Sequence, residues 1–216
     1  MTRKFLIVLG WISVASMAFG QDNFKHHNFM VGFGAANPAG SSTNYLTTAP
    51  LLSFGYGYRF TRLFQAEGGV QFAFGAANNQ NSEITNLGTV QGGDHEIMVP
   101  LGGRLYIPQP LKRIEISAGG GAMYLHYTET ISSSNTGYSG YSGYQNYCYS
   151  CTSRGGWGGY GLANVNYFLD SNHTFRVGTT VQYISASTNG PAVANFPALK
   201  TTDHWINVLF QFGVSF

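Results

Sequence analysis

The chain has 216 residues, of which 44% are hydrophobic, 15% aromatic and only 9% charged, with 29 glycines. A mean hydropathy of −0.06 excludes a helical membrane protein. Without Arg3 and Lys4 the remaining nine basic side chains balance nine acidic ones, which leaves no electrostatic footprint for nucleic acid.

Residues 1–20 read as an export signal. Arg3 and Lys4 give the positive start, Phe5 to Phe19 form a mostly apolar run, and Ala18-Phe19-Gly20 places small residues at the two positions a signal peptidase inspects. The run is too short for a transmembrane helix, which needs about 20 residues. The mature chain is then 21–216, a length that fits one domain.

Eight segments follow in which large apolar residues take every second position, the period of an extended strand with two unlike faces. The first, 28–36, places Phe29, Val31, Phe33 and Ala35 on one face. In the second, 51–60, Leu52, Phe54, Tyr56, Tyr58 and Phe60 are opposed by Ser53, Gly55, Gly57 and Arg59. In the third, 64–76, Phe64, Val70, Phe72 and Phe74 oppose Gln65, Glu67, Gly69 and Gln71. The fourth, 95–107, sets Ile97, Val99, Leu101, Leu105 and Ile107 against Glu96, Gly102 and Arg104. The fifth, 113–127, begins with Ile114, Ile116 and Ala118 against Glu115, Ser117 and Gly119, then loses its clear pattern. The sixth, 156–169, carries aromatics on both faces. The seventh, 174–185, sets Phe175, Val177, Val181 and Tyr183 against Arg176, Gly178, Thr180 and Gln182. The eighth ends the chain as HWINVLFQFGVSF, with Ile206, Val208, Phe210, Phe212, Val214 and Phe216 on the apolar face. No amphipathic helix is present to cover these faces.

Strands of about 9–14 residues suit a tilted crossing of a bilayer, and in lipid only a closed barrel satisfies every backbone hydrogen bond of a sheet. The connections alternate long (37–50, 77–94, 128–155, 186–203) with short (61–63, 108–112, 170–173). That alternation is the outer-membrane arrangement of external loops and periplasmic turns. The fold expected is all-β: an eight-stranded, antiparallel, up-and-down transmembrane β-barrel.

Signal, strands, alternating loops and terminal aromatic together resemble the small eight-stranded outer-membrane proteins of Gram-negative-type bacteria: the barrel domain of outer membrane protein A and the X-type and W-type barrels. The resemblance covers 21–216. It implies a bacterial outer-membrane location, contact with outer-membrane lipid and lipopolysaccharide, and recognition of Phe216, Phe212 and Phe210 by the barrel-assembly machinery.

By parity Arg59, Glu67, Glu96, Arg104, Glu115 and Arg176 all point into the barrel. A lone buried charge is costly, so ion pairs are expected. Symmetric hairpins put Arg104 opposite Glu115 and Arg59 opposite Glu67. The set is either a salt-bridged plug or a gate. An eight-stranded interior is only just wide enough for side chains, which favours the plug. Inward glycines such as Gly55, Gly57, Gly69 and Gly102 make room for large inward partners or outline a slim conduit. Pro100, in mid-strand, removes a ladder donor, and a bulge or local opening is expected there.

The loop 128–155 carries Tyr138, Tyr141 and Tyr144 at three-residue spacing, then Tyr147 and Tyr149. This Tyr/Ser/Gly composition belongs either to adaptable recognition loops or to low-complexity surface loops. Cys148 and Cys151, the only cysteines, are expected to form a small disulfide clip. GWGGYG (156–161) matches a dinucleotide-binding pattern but opens a strand instead of a helix, so no nucleotide site is expected. His95 and His204 each follow an Asp and point outward from opposite sides. His126 invites a lipid-hydrolase reading, but no serine and carboxylate can be placed beside it. No metal, cofactor or nucleic acid is expected. The expected function is non-enzymatic: envelope integrity, or surface interaction with an extracellular ligand through the loops. The alternatives are a narrow channel for small or hydrophobic solutes and, third, a lipid A-modifying enzyme.

Overall fold

The computed structural model describes residues 25–44, 46–75, 84–85, 88–107, 113–134, 148–190 and 200–216. Eight strands form one antiparallel sheet: β1 His27–Pro38, β2 Ala49–Arg59, β3 Phe64–Phe74, β4 Gly88–Ile107, β5 Ile114–Ser134, β6 Cys148–Phe168, β7 Phe175–Asn189 and β8 Lys200–Ser215. Each pairs with its neighbours in sequence, β3 pairs with β4, and β1 pairs with β8, so the sheet closes on itself. A two-residue segment, Ile84–Thr85, pairs back onto the start of β4. Residues 1–20, the expected export signal, lie outside the described residues.

The register fixes the barrel's geometry. From Phe33 the partners run through Leu52, Phe72, Ile97, His126, Gly155, Asn189 and Lys200. The β8–β1 pairing then leads back to position 43, ten residues beyond the start. Eight strands with a stagger of ten require a tilt of about 40° and leave an interior that side chains can fill.

Alternation decides what faces where. Phe29, Val31, Phe33, Phe54, Leu105, Trp157, Val181, Phe210 and Phe212 are exposed on the outer wall. The same strands turn Asn28, Gln65, Arg104, Asn164, Gln182 and Asn207 into a buried lumen. Ten residues per circuit is 1.25 per strand, and this correction converts the registers into heights. A lower ring of Phe60, Phe64, Tyr167 and Phe175 then stands about eleven residues below an upper ring of Phe74, Trp157, His126 and His204. At this tilt that is roughly 27 Å, close to the apolar band of an outer-membrane barrel.

The strands are longer than the alternation alone indicates: 20 residues in β4 and 21 each in β5 and β6. Residues 88–94, 128–134, 148–155, 186–189 and 200–203, expected in loops, are strand. Their sequence is mostly polar, with Val90, Ile131 and Ala186 isolated, so no apolar stripe marks them, but they continue the ladders beyond the apolar band, Thr89 opposite Ser134 and Thr130 opposite Cys151. The rim is consequently uneven, since β1, β2 and β3 stop near the upper aromatic ring. On that low side the β1–β2 connection folds inward through a 3-10 turn at Gly40–Asn44. Ser42 accepts a hydrogen bond from the His204 amide, and Leu46 packs into the core with Ala36, Ala49, Leu51 and Trp205.

Pro100 produces a local opening without a bulge. The β3–β4 ladder runs through Gly68 opposite Leu101 and resumes at Gln71 opposite Met98 in unchanged register, leaving Gly69 and Val70 unpaired across this seam. A proline has no N–H to offer there.

Two expectations test this framework. Gly34 sits on the closing β1–β8 seam, where an added Cβ would run into the Val208 carbonyl oxygen. Gly34→Val should abolish the compact, heat-modifiable band on gels. In the turn before β7, the Asp170 carboxylate accepts hydrogen bonds from the Phe175 and Thr174 amides. These bonds, the Phe175 amide first, hold its pKa below the ordinary value. The turn therefore keeps this support at neutral pH and loses it as pH falls through the depressed pKa. NMR signals of the Thr174 and Phe175 amides should shift on acidification and stay flat in Asp170→Asn.

Candidate functional site

The lumen is filled in layers. At its floor Glu115 lies between two guanidinium groups, with Arg59 Nη2 2.7 Å from Oε2 and Arg176 Nη1 3.4 Å from Oε1. Asn166 Nδ2 also donates to Glu115 Oε1 at 3.3 Å, and the Arg59 guanidinium stacks 3.5 Å above the Tyr106 ring centroid. Beside it Gln65 Oε1 accepts from Asn28 Nδ2 at 2.7 Å and from the Tyr106 hydroxyl at 2.8 Å. Arg104 Nε meets Glu67 Oε2 at 2.8 Å one step higher. Above that come amides: Asn164 donates to Thr180, and Asn207 donates to Gln71 and Gln182.

The upper lumen is apolar. Met98, Met123, Leu125, Ile184, Trp205 and Leu209 are almost wholly buried and form one cluster with Leu51 and Tyr127. At the top the Arg154 guanidinium lies 4.4 Å from the Tyr127 ring centroid and 3.7 Å from Asp203 Oδ2. Thr188 donates to Asp203, Arg154 to Thr201, and Trp205 Nε1 to the Tyr127 hydroxyl. Between the ionic and apolar layers a cavity of about 40 Å³ remains, bordered by Gln71, Pro100, Arg104, Tyr160 and Gln182. That is room for two or three water molecules.

All six acidic and basic residues singled out from parity face this lumen, and Glu96, Arg104, Glu115 and Arg176 are buried. Their pairing differs from the symmetric-hairpin expectation. Arg104 bonds Glu67 instead of Glu115, and Arg59 bonds Glu115 instead of Glu67. The cause is register. Across β4–β5, Ile107 faces Ile116 and Arg104 faces Gly119, so the hairpin is offset by four residues from symmetry and Glu115 drops to the floor. Across β2–β3, Arg59 faces Gln65, and Glu67 faces the bare Gly57. With glycine beside it there, Glu67 reaches diagonally to Arg104, and Arg59 reaches across the floor.

The Arg154–Asp203 pair escapes the parity reading, which places both residues in loops. The signal is nonetheless present: Asp203 continues the inward series Trp205, Asn207, Leu209, and Arg154 continues Gly156, Gly158, Tyr160. Inward glycines make room for neighbours. A Cβ at Gly57 would strike Gln65, one at Gly102 the Tyr160 hydroxyl, and one at Gly213 Arg176.

GWGGYG lies inside β6 as extended strand. His126 stacks beside Tyr124 on the outer wall, at 6.4 Å between ring centroids. Phe210 and Phe212 face outward, and Phe216 stacks on His27 and Phe29, its backbone paired with His27. Tyr138, Tyr141, Tyr144 and Tyr147 lie outside the described residues. Cys148, Tyr149 and Cys151 lie on β6, where the backbone alone is described; Cys148 faces Ser132 and Cys151 faces Thr130, with a register shift between. The expected Cys148–Cys151 disulfide thus falls outside the described side chains. Among the described residues no group of three His, Cys, Asp or Glu side chains is placed to hold a metal.

No protein-family model and no curated protein matches the sequence. Solved structures do match. Neisserial surface protein A superposes with a TM-score of 0.52 at 10% identity, over 88% of this chain and 97% of that one. A major outer membrane protein from Thermus thermophilus gives 0.50 at 11% identity, over 88% and 99%. The attachment invasion locus protein Ail of Yersinia pestis, in complex with the heparin analogue sucrose octasulfate, gives 0.50 at 9% identity, over 89% and 98%. The fold is that of the small outer-membrane barrels. At these identities the likeness extends to the fold alone. In a membrane barrel the exposed phenylalanines meet lipid, and the buried ion pairs stand where an open pore would hold water.

Removing the acid that two arginines share leaves both uncompensated. Breaking a buried pair costs about 3–5 kcal/mol, so Glu115→Gln should lower the unfolding free energy by about that amount in urea titrations from lipid vesicles. Asp203→Asn, which keeps a hydrogen-bonding oxygen toward Thr188, should cost less.

Proposed function

We propose that the protein is a non-enzymatic barrel of the bacterial outer membrane. In this reading a filled lumen braces the wall, and the extended outer strands and loops serve envelope integrity or surface interaction. The observation that carries the reading is the packing of the interior. Charged pairs, amide contacts, an apolar cluster and a further charged pair follow one another upward from the floor, and the cavity described between the ionic and apolar layers holds only a few waters. A solute channel needs a continuous polar path, and the apolar layer around Met98, Met123 and Trp205 interrupts it. The tall β4–β5–β6 wall carries strand backbone well above the apolar band. The small cavity beside the unpaired Gly69–Val70 seam favours, as a second reading, a narrow conduit for small or hydrophobic solutes.

Planar-bilayer recordings distinguish the two. The unmodified protein should show no large, sustained conductance, and Glu115→Ala should lower stability far more than it raises current. Large stable channels in the unmodified protein, or rapid uptake of small apolar probes by reconstituted vesicles, would favour the conduit.

A further inference from the structure

The outer wall carries a second feature that the lumen does not explain. Apart from tyrosine hydroxyls, the titratable side chains described on the outward face above mid-height are His95, His126, His204 and Lys200. Corrected for the stagger of the strands, the three histidines fall within about one residue of the same height, a spread of roughly 2.5 Å. That height is the upper edge of the apolar band, level with Phe74 and Trp157. His95 and His126 lie diagonally across the β4–β5 ladder, and His204 stands on β8, farther round the barrel.

Each imidazole leans on an aromatic ring. Phe74 meets His95 edge-on at 5.9 Å, Tyr124 stacks near His126 at 6.4 Å, and Tyr183 stacks on His204 at 6.1 Å with its hydroxyl 3.0 Å from Nδ1. The cross-strand neighbours carry no charge: Phe74 and Thr128 flank His95, Ile97 and Gly155 flank His126, and Ser185 flanks His204, with Ala39 and Gly40 on its other side. Of the carboxylates next in sequence, Glu96 and Asp203 are buried on the lumen side, and the Asp94 side chain lies outside the described ones. Lys200 lies four residues farther out on the same face as His204. The opposite rim also carries histidines against aromatic rings, His26, His27 and His173, but there they stand with Arg62 and Arg113, which are exposed and permanently charged.

Imidazole is the side chain whose charge changes between about pH 5 and 8. A ring of them at the upper edge of the apolar band would stand level with the phosphates of a surrounding lipid leaflet. We propose that His95, His126 and His204 form a titratable collar that binds phosphate groups of outer-leaflet glycolipid when protonated. The hold of the barrel on its membrane then tightens as the exterior acidifies. A group that gains an anionic partner in its charged form contributes at low pH and loses that contribution as pH rises. The proposal rests on the membrane assignment above.

The test compares protein folded into vesicles of phosphatidylcholine with protein in phosphatidylcholine vesicles containing lipid A, at about pH 5 and pH 8, by the thermal midpoint of the heat-modifiable band. In lipid A vesicles acidification should raise the midpoint by several degrees more than in phosphatidylcholine alone. The three His→Gln single variants should each lose part of that difference, and the triple variant most of it. His126→Lys, charged throughout, should raise the midpoint at pH 8 in lipid A vesicles. An undiminished response in the triple variant, or equal shifts in both vesicle types, would overturn the collar. Failure to insert into either vesicle at pH 8 would instead overturn the membrane assignment.

Discussion

Every strand of this protein depends on closure of the hydrogen-bond ladder. In hydrocarbon an unsatisfied amide costs several kcal/mol, and a sheet with two free edges would present a row of them. The β1–β8 pairing removes both edges. It is built from residues that allow close approach: Gly34 packs against the Val208 carbonyl, and Phe216 completes the last rung with His27. Closure also fixes the stagger, and the stagger sets the tilt, the width of the lumen and the height at which each side chain stands.

A barrel of this width has two surfaces and one solvent problem on each. Outside, the apolar residues need no protein partner, which is why so many large side chains are exposed. Inside, every polar group taken from water needs a replacement for it. The lumen supplies most of these in series, although Arg59 Nε, Arg176 Nη2 and Asn207 Oδ1 find no hydrogen-bond partner among the described residues. Charge meets charge at the floor, amide meets amide in the middle, and a small apolar core lies above them. This core is the one place where the protein resembles a soluble domain. It shows that an inward-facing series need not be polar from end to end.

The fold was legible because period-2 alternation in lipid is unbroken by the demands of a second layer. Phe210, Phe212 and Val214 read as one face without any knowledge of their neighbours. The partners of the ionic residues were not legible. Parity tells that Arg59 and Glu115 face inward, but their meeting depends on a four-residue offset at the β4–β5 hairpin and on the circuit around the barrel, and neither leaves a mark in local sequence. The outer ends of β4, β5 and β6 were hidden for another reason. Above the apolar band the outer face turns polar like the inner one, so alternation fades although the ladder continues. Arg154 and Asp203 were lost in that fading. The level of the three histidines was equally hidden, because it emerges only when all eight registers around the barrel are combined.

The uneven rim gives the molecule a direction. Three strands rise like a parapet well above the aromatic ring, while the opposite side ends near it and is roofed by the Gly40–Asn44 turn. A broad object descending from outside touches the parapet first and is held off the mouth by several strand residues. Among the described residues the low side ends at the level of the aromatic ring, so the two sides of the mouth present different heights to whatever comes near it.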